Sequence, residues 1–65
     1  MTKAQAQNAV ERTLRTLKLA KPFTEAEMTV FCDEMSQQLE FKSVDRQRDI
    51  RAWVGHWQLL RYRSN

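Results

Sequence analysis

The stretch Phe23-Thr24-Glu25-Ala26-Glu27-Met28-Thr29-Val30-Phe31 decides how this chain folds. Thr24 followed three residues later by Glu27 is a capping box, in which each side chain satisfies a backbone N–H that the helix start leaves open. Phe23 before the cap and Met28 four residues after it have the spacing of a hydrophobic staple, which fixes how the chain enters the helix. The spacing therefore predicts a helix starting at Thr24, with Met28, Phe31, Met35 and Leu39 as its buried stripe and Cys32 beside them. At that spacing Met28, Met35 and Phe31 read as core in preference to an adaptable methionine groove.

Upstream, Ala6, Val10, Leu14 and Leu17 recur at intervals of four, four and three, one stripe of an α-helix running from about Lys3 to Ala20. Arg12, Arg15 and Lys18 fall outside that stripe, so the first helix has a basic outer face. Pro22 stops it, because the residue before proline is pushed out of the α region. Downstream, Ser43 is placed to cap a third helix with Asp45 in its first turn, where a negative charge meets the positive end of the macrodipole. Ile50, Trp53, Val54, Trp57 and Leu60 line one side of that helix. Gly55 lies inside the pattern and costs about 1 kcal/mol relative to alanine, so it marks a close backbone approach or a weak point.

The fold class is thus all-α, a small bundle of about three short helices. Residues 1–65 form a single helical domain with helices one and two antiparallel and the third packed across them. Sixty-five residues bury a smaller fraction of their surface than a larger protein does, so stability is modest and a homodimer that completes the bundle is one expectation. Hydrophobic residues at 42% with only one Gly and one Pro fit a helical globule and not a disordered chain. No apolar run approaches the roughly 20 residues that span a bilayer, and the Met1 region lacks the apolar segment of a signal peptide. One cysteine cannot staple the fold internally, and a reducing cytoplasm is the expected setting. The size suits the short reading frames of bacteria, phages and plasmids.

Charge alternates along the chain. Residues 1–22 carry five cations against Glu11, residues 23–42 carry five anions against Lys42, and residues 43–65 carry five arginines against Asp45 and Asp49. The last segment, Arg46 to Arg63, interleaves its arginines with Trp53, Trp57 and Tyr62, the residue types that phosphate contact and base stacking use. Arg46, Arg48 and Arg51, with Gln58 and Tyr62 on roughly the same face, and Arg12, Arg15 and Lys18 from the first helix, are the candidate nucleic-acid contacts. The competing reading pairs those arginines with the acidic second helix or leaves them solvated. A partner protein is the alternative ligand, held through Trp53 and Trp57 as interface anchors or through Glu25, Asp33 and Glu34 as a surface for a basic partner. A helix-turn-helix built from helices two and three lacks the usual turn glycine in Glu40-Phe41-Lys42-Ser43.

Catalysis is not expected. His56 is the only histidine and Cys32 the only cysteine, too few for a recognisable zinc set. Cys32 falls on the apolar stripe as a small hydrophobe, and no glycine loop for phosphate is present. No cofactor is implied. The stretch Phe23 to Phe31 resembles the second-helix opening of the Hha-type nucleoid modulators of enteric bacteria. That likeness covers under a fifth of the chain and does not extend to Trp53 and Trp57, so no family membership follows from it.

Overall fold

The computed structural model describes residues 1–62, so Arg63 lies outside the described residues. Three helices follow in order: α1 over Lys3–Leu17, α2 over Glu25–Gln38 and α3 over Arg46–Arg61. The capping box forms as the sequence predicts. Thr24 Oγ1 accepts from the Glu27 N–H at 3.2 Å, and Glu27 Oε1 accepts from the Thr24 N–H at 2.9 Å. Phe23 and Met28 both pack against the core, and the Phe23 ring lies 5.2 Å from that of Phe31. A second capping box, Thr2 with Gln5, opens α1.

Ala6, Val10 and Leu14 of α1 meet Ile50 and Val54 of α3 in the fully buried centre, and Phe31, Cys32, Met35 and Leu39 close it from the α2 side. The packing runs through α3, which touches both other helices extensively, whereas α1 and α2 barely meet. The expected pairing of helices one and two is therefore replaced by an arrangement with α3 as the hub. Its cause lies in the burial pattern: α3 carries buried or half-buried residues over an arc broad enough to face two neighbours, Ile50, Trp53, Val54 and Trp57 together with the buried polar Gln58.

Two boundaries and one stripe position differ from expectation. Helix α1 ends at Leu17 and not at Ala20, because Lys18 takes a left-handed conformation (φ 50°) and its N–H bonds back to the Arg15 carbonyl. That turn sends Leu19 inward to pack against the core. At α3 the N-cap is Asp45 and not Ser43: Asp45 Oδ1 accepts from the Arg48 N–H at 3.1 Å. Ser43 instead accepts from the Asp45 N–H and donates to Asp49, bracing the cap from outside the helix. The α3 stripe holds at Ile50, Trp53, Val54 and Trp57, but Leu60 is 59% exposed.

Between α2 and α3 the chain is extended, with Leu39 at φ −102°, ψ 118°. In an extended segment alternate residues share a side. Leu39 and Phe41 are accordingly both buried, and the Phe41 ring packs 5.4 Å from Trp53. This link, Leu39 to Asp45, is longer than the three or four residues of a helix-turn-helix. Gly55 sits on the exposed side of α3, the helix continues through it, and nothing lies within 4 Å of where a Cβ would stand. No helix among the described residues is long and apolar enough to cross a membrane.

Candidate nucleic-acid interface

The eight residues nominated for nucleic acid divide into two groups of four. Arg46 donates to the Leu39 carbonyl at 3.4 Å, which anchors the extended link. Arg51 reaches across to α2, donating to Glu25 at 3.3 Å and to Thr29 Oγ1 at 3.2 Å. Gln58 is buried and not on the surface with Arg48, because its position one turn beyond Val54 points it between the helices. The Tyr62 hydroxyl donates to the Leu19 carbonyl at 2.7 Å, tying the end of α3 to the α1–α2 connection. Gln58 is thus taken into the bundle and the expectation of a surface position for it is corrected, whereas Arg46 and Arg51 make their contacts from exposed positions and stay part of the α3 surface.

Arg12, Arg15, Lys18 and Arg48 are exposed. The side chains of Arg12 and Lys18 have no hydrogen-bond or ion-pair partner among the described residues, and that of Arg15 has one weak pair, with Glu11 at 4.0 Å. An exposed pair of that length leaves both charges largely available to other ions. Arg12 and Arg15 are three residues apart on α1, about 4.5 Å along its axis, and Lys18 stands at its C-cap. Arg48 lies apart from them, beside Arg51, Thr29 and Asp45 around a polar hollow of about 290 Å³ on the α2–α3 side.

The α1–α3 side carries a feature that no single-helix reading exposes. Arg15 and Glu11 of α1 face Trp57, Leu60 and Arg61 of α3 across an open groove of about 460 Å³. Trp57 is half-buried and packs against the core. The Arg61 guanidinium lies over its ring, 5.4 Å from the centroid, and Tyr62 meets it edge-on at 6.4 Å. The groove thus combines an aromatic floor with two guanidinium groups, one from each wall. Arg61 was missed because on α3 alone it falls next to the apolar stripe; the signal for it was the i, i+4 step from Trp57, which stacks a cation over an aromatic ring.

The residues nominated for a protein partner also part company. Trp53 and Trp57 are both half-buried against the core, so neither stands out from the surface as a free anchor. Glu25 holds Arg51, and Asp33 accepts from Gln37 and Gln47, both at 3.1 Å. Glu34 is exposed beside an apolar groove between α2 and the end of α1. His56 is exposed and Cys32 buried, and burial raises the Cys32 thiol above its ordinary value. Among the described residues no three His, Cys, Asp or Glu side chains gather into a group able to hold a metal ion. Comparison with protein-family models, with curated proteins and with solved structures finds no match to this chain.

Proposed function

We propose that this protein is a small non-enzymatic regulatory or accessory module that binds single-stranded nucleic acid along the α1–α3 groove. The observation that carries the reading is the Trp57 floor with Arg15 and Arg61 around it; Arg12 on α1 and Lys18 at its C-cap are further exposed cations outside the groove lining. An aromatic face flanked by guanidinium groups accepts an unpaired base, stacked on indole or on the guanidinium plane, while the cations take the phosphates on either side. A duplex keeps its bases stacked on each other and offers nothing to that floor. Glu11, which also lines the groove, sets a limit on how closely a phosphate approaches near its end.

The test is fluorescence anisotropy of a labelled single-stranded oligonucleotide and its duplex across a salt series. With four cations engaged, Arg12, Arg15, Lys18 and Arg61, the slope of log K against log salt is expected near −3 for the single strand, at roughly 0.7 per phosphate neutralised. Arg15→Ala and Arg61→Ala should each flatten it by about 0.7. Trp57→Ala should weaken the single strand by about tenfold or more without changing the slope, since one stacked base is worth about 1–3 kcal/mol. No binding at low salt, or binding whose slope ignores Arg15 and Arg61, would sink the reading.

A further inference from the structure

On the other side of α1, Leu17, Phe23, Val30 and Phe31 line an open groove of about 360 Å³ with Glu27 and Glu34 on its rim. Leu17 is 48% and Val30 57% exposed, although each lies on a regular helix whose other apolar residues are largely inside. Val30 breaks the amphipathic pattern of α2: it falls on the solvent side, between Ala26 and Glu34, and makes a second apolar strip there. Together with Leu17 and Phe23 it forms one continuous apolar floor that the fold itself does not cover.

We infer that this groove is a docking site for an amphipathic helix of a partner protein, with aliphatic residues on one face and lysine or arginine along its flank. Charge selects that occupant. Glu27 and Glu34 lie seven residues, two turns, apart on one edge of α2, about 10.5 Å along its axis. Glu27 is held in the charged form, since the hydrogen bonds from Thr24 lower its pKa. Glu34 makes no hydrogen bond or ion pair among the described residues. Two carboxylates flanking an apolar floor attract a basic flank and repel an acidic one, which sets partner choice more than affinity. An aliphatic strip at i, i+3, i+4 spacing is what a shallow groove of this shape accepts from a helix.

The same charges argue against a second copy of this chain. A two-fold pairing of grooves sets the same patch against itself, bringing Glu27 and Glu34 of both chains to one seam. The basic helix α1 does not supply the occupant either, because its apolar stripe is buried and its outer face, with Arg12 and Arg15, is polar. The inference is independent of the nucleic-acid reading, since the two grooves lie on different faces of α1 and share no lining residue.

The test uses the whole chain and two synthetic amphipathic helical peptides of identical leucine face, one flanked by lysines and its twin by glutamates, titrated by anisotropy. The lysine peptide should bind about tenfold more tightly than the twin, the scale of two exposed rim charges acting together. Val30→Ser, at an exposed site that leaves the circular dichroism and Tm in place, should abolish that binding, and Glu34→Lys should shift preference toward the glutamate peptide. Arg15→Ala should leave peptide binding as it is. Equal affinity for both peptides, or binding that survives Val30→Ser, would overturn the inference. So would a dimer of the free protein in light scattering that Val30→Ser dissolves, because the occupant would then be a second copy.

Discussion

Gln58 offers the sharpest check on the fold, because the sequence pattern and the structure assign it opposite places. Its side chain is only 8% exposed, and its Nε2 is buried without a hydrogen-bond partner. A buried amide donor left unpaired costs about 1–3 kcal/mol. Methionine has nearly the same length and shape, keeps the helix propensity, and carries no donor to leave unpaired. Gln58→Met should therefore stabilise the protein by about 1 kcal/mol, the lower end of that range because the repacked thioether recovers only part of the loss. In a domain of this size that is a rise in Tm of about 4–8 °C. Urea unfolding followed by circular dichroism should give a higher midpoint at unchanged m, since the area exposed on unfolding does not change. Oligonucleotide affinity should stay the same, because the amide does not reach the surface. A lower midpoint at constant m would refute the reasoning, and so would a variant that is more stable yet binds the oligonucleotide tenfold more weakly.

Other substitutions separate structural from binding roles in the same way. Lys18→Gly relieves a left-handed conformation that costs a lysine about 1 kcal/mol, so Tm should rise while single-strand affinity falls through loss of one phosphate contact. Tyr62→Phe removes the 2.7 Å bond to the Leu19 carbonyl and should cost about 1 kcal/mol in urea unfolding with no change in binding. Acid should destabilise the fold. The Ser43 hydroxyl and, less strongly, Lys3 hold Asp49 below its ordinary 3.8, and Thr24 holds Glu27 below its ordinary 4.5. Both pKa values are depressed on folding, so their contribution is fully present above those ordinary values and is lost as pH falls through the lowered ones. Tm measured from pH 6 down to pH 2 should drop below about pH 4.5, and Ser43→Ala should flatten the part of that drop due to Asp49.

Local signals carried most of the fold. Thr24, Glu27, Phe23 and Met28 lie within six consecutive residues, and a capping box needs nothing beyond its own turn. The same argument applied to Thr2 and Gln5 finds the start of α1, where only the apolar stripe was read. What required three dimensions was anything set by a partner helix. Asp45 displaces Ser43 as the cap because Ser43 is drawn to Asp49, six residues on, which α3 must form first to present. Phe41 enters the core from a segment with no helical period, through the two-residue alternation with Leu39. Gln58 and Tyr62 fall on a polar arc of the isolated helix, yet Gln58 is buried and Tyr62 is tied to the α1–α2 connection through Leu19. The candidate groove was legible only in part: Arg12, Arg15 and Lys18 follow from one segment, whereas bringing Arg15 to Arg61 and Trp57 requires the α1–α3 packing.

The alternating charge of the chain has two competing explanations, and the ion pairs decide between them. If the acidic helix existed to neutralise the basic ones, cations and anions would meet across the interfaces. Among the described residues there are three ion pairs: Arg51 with Glu25, Lys3 with Asp49, and Arg15 with Glu11 inside α1. Only the first joins α2 to a basic helix, and its carboxylate is 91% exposed, a position where pairing contributes little. Glu27 and Glu34 line one groove while Arg15 and Arg61, with Glu11, line the other, and Arg12 and Lys18 are exposed elsewhere on α1 and at its C-cap, so much of the alternation in sequence becomes a separation in space. A molecule built that way should fold almost independently of salt while both of its binding events depend on it, the oligonucleotide steeply and the basic peptide more gently. Measuring Tm across the same salt series as the two titrations distinguishes this from internal neutralisation. Internal pairing would instead make stability itself fall as salt rises.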